Sequence, residues 1–382
     1  MPATDHIVLT TIRRPDLLED YLTNLGKAGR LASCRVWIVG DTKTPAGVDE
    51  LARSLTARGL ETTYVDIEAQ DRWGTKLCPK FYARIPRANE TRRNIGYLMA
   101  LEAGCTRLVS IDDDNWPTGD DFLGGHGFAG EAWQGPLVAS DNGYFNVCSH
   151  LELTPARDVY PRGYPFRLRG AKAKVTDAKA PSGARIGVVA GLWLGDPDID
   201  ATTWLNGKVQ GLSYRGPERY VLDQATWSPI NTQNTSVTRA LVPAYLCIPM
   251  GWPVPGGKIE RYGDIWGGYF LQAMMRGTPY HVAFGRPVVD HRRNPHDYVD
   301  DLRYEFWGMI LTDWLLDELK VQFKPTATRI TERCHEVADF LVGSAMTRCP
   351  AWCPAEMRQF LKETATTMHA WAEACATIES SL

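Results

Sequence analysis

The strongest constraint on the fold is an alternation near the amino end. Four β-rich runs, HIVLTTI, CRVWIVGD, ETTYVDI and RLVSIDDD, begin the chain, and the first three are separated by PDLLEDYLTNLGKAG and GVDELARSLTARG, whose apolar residues recur at helical intervals. Such alternation builds a mostly parallel sheet with helices on its faces. The stretch before the fourth run begins irregularly with QDRWGTKLCPK and then offers a helix from about Glu90 that stops at Gly104. Ligands of these sheets sit outside the carboxyl ends of the strands, where Asp41 and the run Asp112, Asp113, Asp114 fall.

Three adjacent carboxylates repel one another unless a cation or hydrogen-bond donors neutralise them. The plain alternative is an acidic turn that caps the next helix. A divalent ion is the economical explanation, because oxygen ligands at alternate positions, Asp112 and Asp114, suit Mg2+ or Mn2+, which typically bridge protein to nucleotide phosphates. A later strand end, VVDHRRNPHDY, carries His291 and His296, and His291 is expected to reach the same ion from a distant part of the chain. The basic stretch RGYPFRLRGAKAK interleaves Arg162, Arg167 and Arg169 with Gly163, Tyr164, Pro165 and Phe166, a composition that holds an arginine fork rigidly against a phosphate. The glycines of GGHGFAG follow the acidic run without an intervening strand and read as a flexible loop. The first strand-to-helix turn, TTIRRP, has no glycine, which disfavours flavin and nicotinamide cofactors.

Composition excludes other classes. Lys and Arg total 42 against 45 Asp and Glu, without the basic excess of a nucleic-acid binder. The longest apolar run, IGVVAGLWL, is too short to span a bilayer, the opening MPATDHIVLTTIRRP lacks signal-peptide architecture, and nine cysteines fit a reducing compartment. These features predict a cytoplasmic protein with neither nucleic-acid nor membrane partners. CPAWC resembles half of a metal knuckle, but no second closely spaced pair completes it.

The order of the motifs resembles the reversibly glycosylated polypeptides, UDP-arabinopyranose mutases of plants with a glycosyltransferase-A-like fold. The resemblance spans residues 6 to 310 and rests on the strand bearing Asp41, IDDD, RGYPFRLR, GLWLGDPDIDATT, and RYGDIWGGYF followed by the His291 strand end. It implies a nucleotide-sugar substrate, no redox cofactor, a metal and diphosphate site at Asp112, Asp113 and Asp114, a reversibly glycosylated arginine at Arg162, and a sugar-contacting or catalytic carboxylate at Asp264. Gly263 stands where the family has another acid, a departure that suggests a hexose in place of a pentose. Similar actinobacterial proteins act on GDP-linked hexoses. The expected reaction is therefore pyranose/furanose exchange on a GDP-hexose such as GDP-fucose or GDP-L-galactose, with UDP-arabinose next. A metal-dependent glycosyltransferase is the alternative, and a non-catalytic nucleotide-sugar binder the second.

Further nucleotide-sugar contacts are expected from Thr10, Arg13 and Arg169, and from Trp193 and Trp266, whose aromatic motifs would wall the pocket from water. Residues 1–300 read as the catalytic domain. Residues 301–382 read as a cap of amphipathic helices, whose apolar Trp307, Leu315, Leu316 and Phe340 would also allow a homo-oligomer.

Overall fold

The computed structural model describes residues 4–119 and 121–382. Eight strands form the main sheet: β1 Asp5–Thr10, β2 Cys34–Val39, β3 Glu61–Val65, β4 Arg107–Ile111, β5 Arg185–Ala190, β6 Arg219–Val221, β7 Asn234–Thr238 and β8 Tyr280–Gly285. Their order is β6-β8-β5-β7-β4-β1-β2-β3. Parallel pairing joins β1 to β2 and β4, β2 to β3, and β5 to β8, whereas β7 runs antiparallel to β4 and β5, and β6 to β8. The α/β expectation holds, with β7 inserted against the parallel direction.

Helices α1 Leu18–Lys27, α2 Val48–Ala57, α3 Ile67–Leu77 and α4 Arg93–Glu102 connect the first four strands. The supposedly irregular stretch after β3 is therefore helical. Asp66 caps α3 by accepting from the Ala69 amide at 2.7 Å. The sequence hides this helix because its buried positions are Gln70 and Gly74, not a stripe of apolar side chains. The Gln70 amide donates to the carbonyls of Gly40 and Val65 at 2.7 and 2.8 Å, tying α3 to the ends of β2 and β3.

A second sheet of short strands lies in the order Asn115–Pro117, Val289–His291, Trp193–Gly195, Gln210–Tyr214, Leu151–Thr154. In its antiparallel first pair His291 lies opposite Asn115, which carries a late part of the chain to the acidic run.

The carboxyl-terminal part contributes α5 Gly263–Met275, α6 Tyr298–Asp317, α7 Ile330–Phe340 and α8 Ala355–Ser380. Their apolar side chains join one continuous core with those of the sheet. Leu315 and Leu316 are fully buried in that core, and Trp307 and Phe340 pack against it. All four positions pack within the chain's own core, Trp307 and Phe340 with part of their surface exposed. Among the described residues no helix is long and apolar enough to cross a membrane, and all nine cysteines are free thiols.

GGHGFAG is not a loose loop. Phe122–His126 forms a short helix in which Phe122, Leu123 and His126 are fully buried. His126 lies 2.9 Å from Asn234 Oδ1 and 3.2 Å from Ser236 Oγ on β7. Burial depresses its pKa to about 4, against a partial restoring pull from Asn234. A depressed histidine pKa means that the unfolded chain binds the extra proton more readily, so stability is complete above the unfolded value of roughly 6.5 and is lost as pH falls towards 4. We predict that urea titrations between pH 7 and pH 4 will show a loss on the order of 3 kcal/mol attributable to this group. His126→Gln should flatten that acid limb, and an unchanged pH dependence in the variant would refute the assignment.

Candidate functional site

A cavity of ≈ 360 Å3 opens at the carboxyl ends of β1, β2 and β4, within the size range of small-ligand sites. Its lining is polar and charged. The only two non-glycine residues with positive φ among the described residues, Ala88 at +50° and Arg261 at +64°, both line it. Backbone held in such costly conformations concentrates at ligand sites, because the surrounding structure has to maintain it.

Each aspartate of the acidic run finds a protein partner. Arg93, on α4, is 5% exposed at the side chain and reaches Asp112 at 2.6 Å. The same guanidinium donates to the Thr232 carbonyl and hydroxyl at 3.0 and 2.9 Å and to the Thr10 hydroxyl at 3.3 Å. Asp113 accepts from the Thr11 hydroxyl at 2.7 Å. Asp114 accepts from the amides of Asn115 and Asn294 at 3.0 and 3.3 Å and faces His291 Nε2 at 3.4 Å. Burial raises the pKa of Asp112 although Arg93 opposes it, and burial likewise raises that of Asp113.

The expected metal triad of Asp112, Asp114 and His291 is not assembled as such. Among the described residues no three His, Cys, Asp or Glu groups are gathered for an ion, because Asp112 is turned to a buried arginine that would otherwise lack a counter-charge. Asp114 and His291 do fit a divalent cation. The Asp196 carbonyl lies 2.6 Å from His291 Nδ1, so Nδ1–H donates there and Nε2 is the nitrogen turned towards Asp114, the orientation that a carbonyl imposes on a ligating imidazole.

Arg162 also lines the cavity. Its strand-like neighbour Pro161 bridges to Ile199, and its amide donates to the Asp198 carbonyl at 3.0 Å. Gly163 follows at φ +84°, where a Cβ would collide with Ile265. The side chain is clamped between two carboxylates: Nε and Nη2 donate to Asp198 at 2.9 and 3.1 Å, and Nη2 and Nη1 to Asp264 at 3.2 and 3.4 Å. Nη1 also donates to the carbonyl of the left-handed Arg261. All five N–H groups are thereby engaged, leaving none in this arrangement for a diphosphate. Burial works against the charge of Arg162, but Asp198 and Asp264 outweigh it and hold the pKa well above the ordinary value. Burial likewise opposes ionisation of Asp198, and Arg162 with the Asn231 amide overrides it, holding the carboxyl well below its usual range.

Arg293 differs. It is 5% exposed at the side chain and lines the cavity. Its carboxylate partner is Asp301 at 3.1 Å, which also serves His296 at 3.0 Å and Arg261 at 3.6 Å. The guanidinium lies over the rings of Trp204 and Tyr298. Burial, reinforced by Arg261, lowers its pKa, so an anion in the cavity would relieve it.

Of the residues singled out in the sequence, Thr10, Asp41, Asp112, Asp113, Asp114, Arg162 and His291 line the cavity. Arg13 stands at the rim, bonded to Asn294. Asp264 meets the cavity only through Arg162. Arg169 lies elsewhere: it pairs with buried Asp200 at 2.5 Å, supporting the cap of the Ala201–Leu205 helix, and stacks on Phe166 at 3.7 Å. Trp193 and Trp266, 3% and 0% exposed, belong to the core, and Trp266 donates its indole N–H to Thr312 at 2.9 Å. Polar groups, not the expected aromatics, wall the cavity. Sequence reasoning missed Arg93, Asp198, Arg261 and Arg293. Asp198 and Arg293 stood inside the quoted motifs PDID and DHRRNP, whereas nothing in its helix distinguished Arg93.

The profile of the family described as reversibly glycosylated polypeptide matches residues 76–380. The chain belongs to this family. It is 25% identical over 296 residues to UDP-arabinopyranose mutase 3 of Arabidopsis thaliana, covering 76% of this chain and 72% of that protein. It is 26% identical over 177 residues to UDP-arabinopyranose mutase 1 of Oryza sativa subsp. japonica, covering 46% and 44% respectively. A looser likeness, with a TM-score of 0.42 and 13% identity over 98% of this chain and 86% of the other, links it to the mannosyltransferase PcManGT of Pyrobaculum calidifontis.

Asp41 has a role within this family member that its position alone did not disclose. Its carboxylate accepts from the amides of Thr42, Ala88 and Asn89 at 2.6, 2.8 and 3.0 Å, holding the Ala88 loop in its strained conformation. We predict that Asp41→Ala will lower stability by about 1–3 kcal/mol through unsatisfied amides and will raise hydrogen exchange at residues 86–90. Wild-type protection there would show that the loop does not depend on Asp41.

Proposed function

We propose that this protein interconverts the pyranose and furanose forms of a nucleotide-bound sugar, a GDP-hexose such as GDP-fucose or GDP-L-galactose first and UDP-arabinose next. The observation that carries the reading is Arg162, clamped by Asp198 and Asp264 on the wall of a cavity that fits a small ligand, in a chain of the reversibly glycosylated polypeptide family. Gly263 supports a changed sugar: a side chain there would collide with the Ile248 carbonyl, so the family's extra acid has no room.

Ring exchange requires the anomeric C–O bond to break and reform while the sugar stays bound. With its donors saturated, Arg162 is better placed to receive the anomeric carbon on Nη than to hold the diphosphate. The bond to the sugar forms as the bond to the diphosphate breaks, and the displaced N–H proton passes to Asp264. That proton has to leave as the bond forms, because a protonated guanidinium has no free lone pair. Ring opening and closure through a different hydroxyl follow, and the diphosphate then returns to the anomeric carbon, breaking its bond to Nη as Asp264 gives the proton back to Arg162. Arg293 takes the diphosphate oxygens. Asp114 and His291, with Asp112 nearby, would hold Mn2+ or Mg2+, which supplies positive charge to offset that of the leaving diphosphate.

Two experiments test this reading. Incubated with a divalent ion and a panel of GDP- and UDP-sugars but no acceptor, the protein should yield an isomer of unchanged mass with furanose NMR signals. It should reach one equilibrium ratio from either direction and stop with chelator. Hydrolysis alone would favour a glycosyltransferase, and binding without turnover a non-catalytic binder. Calorimetry with the free nucleoside diphosphate separates the arginines. Arg293→Ala should weaken binding about tenfold or more, the scale of a charge-assisted hydrogen bond, while Arg162→Lys should bind normally and lose turnover. Equal loss of binding in both variants would return the diphosphate to Arg162.

A further inference from the structure

Helices α7 and α8 pack side by side outside the cavity, and their contact carries four groups that the proposed chemistry leaves unused. His335 and Asp339 lie four residues apart on α7, and His369 and Glu373 four apart on α8, a spacing that sets each pair on one helical face. The two imidazoles stack with centroids 5.0 Å apart, and their Nδ1 atoms lie 2.7 Å from each other. At that separation one nitrogen donates and the other accepts, so a single proton occupies the gap. His369 Nε2 lies 3.1 Å from the Asp339 carboxylate. With Nε2–H donating there, the His369 lone pair sits on Nδ1 and the shared proton on His335.

We propose that His335 and His369 form a binding site for a borderline divalent transition metal of the Zn2+ or Ni2+ kind, which takes the place of the shared proton and clips α7 to α8. Neutral imidazole suits these ions and not Mg2+ or Ca2+. His335 has to carry its proton on Nε2, and the two Nδ1 atoms have to part by roughly half an ångström from 2.7 Å to meet a tetrahedral ion at about 2.0–2.1 Å, while Asp339 already orients the His369 ring as carboxylates do for metal-bound histidines. Two donors are in place and no third is gathered beforehand. Glu373, one turn along α8 from His369, is a source of one. It now pairs with Lys80 at 2.8 Å, with side chains 48% and 76% exposed, and so exposed a pair costs little to exchange. His369 and Glu373 also line an open groove of ≈ 720 Å3, which supplies the entry path.

The test uses the full chain, stripped of metal and free of nucleotide, titrated with ZnCl2 by calorimetry and melted with and without zinc. The wild type should take up a zinc equivalent and melt higher with it. His335→Ala and His369→Ala should each weaken that uptake by about tenfold or more, as loss of support at a metal site does, and should abolish the melting shift. The Asp114 and His291 pair stays intact in these variants and cannot account for the difference. His335→Gln, which retains a polar side chain of similar reach, checks that the loss is not one of folding, since it should melt like the wild type without zinc and still lack the shift. No zinc uptake by the wild type, or histidine variants that bind zinc as tightly as the wild type, would overturn the assignment.

Discussion

A carboxylate at the end of a buried strand has to be answered within a few ångströms, and the Arg93 guanidinium does this for Asp112 at 2.6 Å. The consequences reach well beyond the pair. By also donating to Thr10 at the end of β1 and to Thr232 just before β7, Arg93 ties α4 to the ends of two strands and the entry to a third. Removing Asp112 would strand the buried Arg93 in low dielectric, a loss of several kcal/mol. With Asp112 fixed in this way, Asp114 is the carboxylate directed towards His291.

A second buried arginine lines the same cavity with the reverse arithmetic. Arg93 has one carboxylate and spends its remaining donors on hydroxyls and two carbonyls, whereas Arg162 is enclosed by two carboxylates and a strained carbonyl. An arginine so enclosed is held still and kept ionised, and it has a carboxylate ready on the same N–H bonds to accept a proton. Arg293, sharing Asp301 with Arg261 and His296, is the one left short of negative charge. Paired acids and bases with one under-compensated arginine give the cavity a polar lining that suits a ligand combining a diphosphate with a polar sugar.

The strands and the position of the acidic run were legible because β1, β2 and β4 are almost wholly buried, and burial on both faces writes itself as apolar runs. Helix α3 was not, because its core contact is the polar Gln70, and GGHGFAG was misread because glycines concealed a helix anchored by Phe122 and His126. Trp193 and Trp266 were assigned to the pocket from their motifs, yet large aromatics contribute most by burial, and both are spent in the core.

The sequence by itself determined the alternating α/β order, the placing of Asp41 and Asp112 to Asp114 at strand ends, and the motif order that marks the family, since these depend on local periodicity and residue identity. Only the tertiary structure decided the partners: that Arg93 answers Asp112, that Asp198 and Asp264 enclose Arg162, that a small second sheet sets His291 opposite Asn115, and that Arg293 faces the cavity with donors to spare. Each of these pairings joins residues far apart in the chain or hidden among like neighbours, and the choice among several arginines and many carboxylates is made by distance and burial, which a linear pattern does not carry.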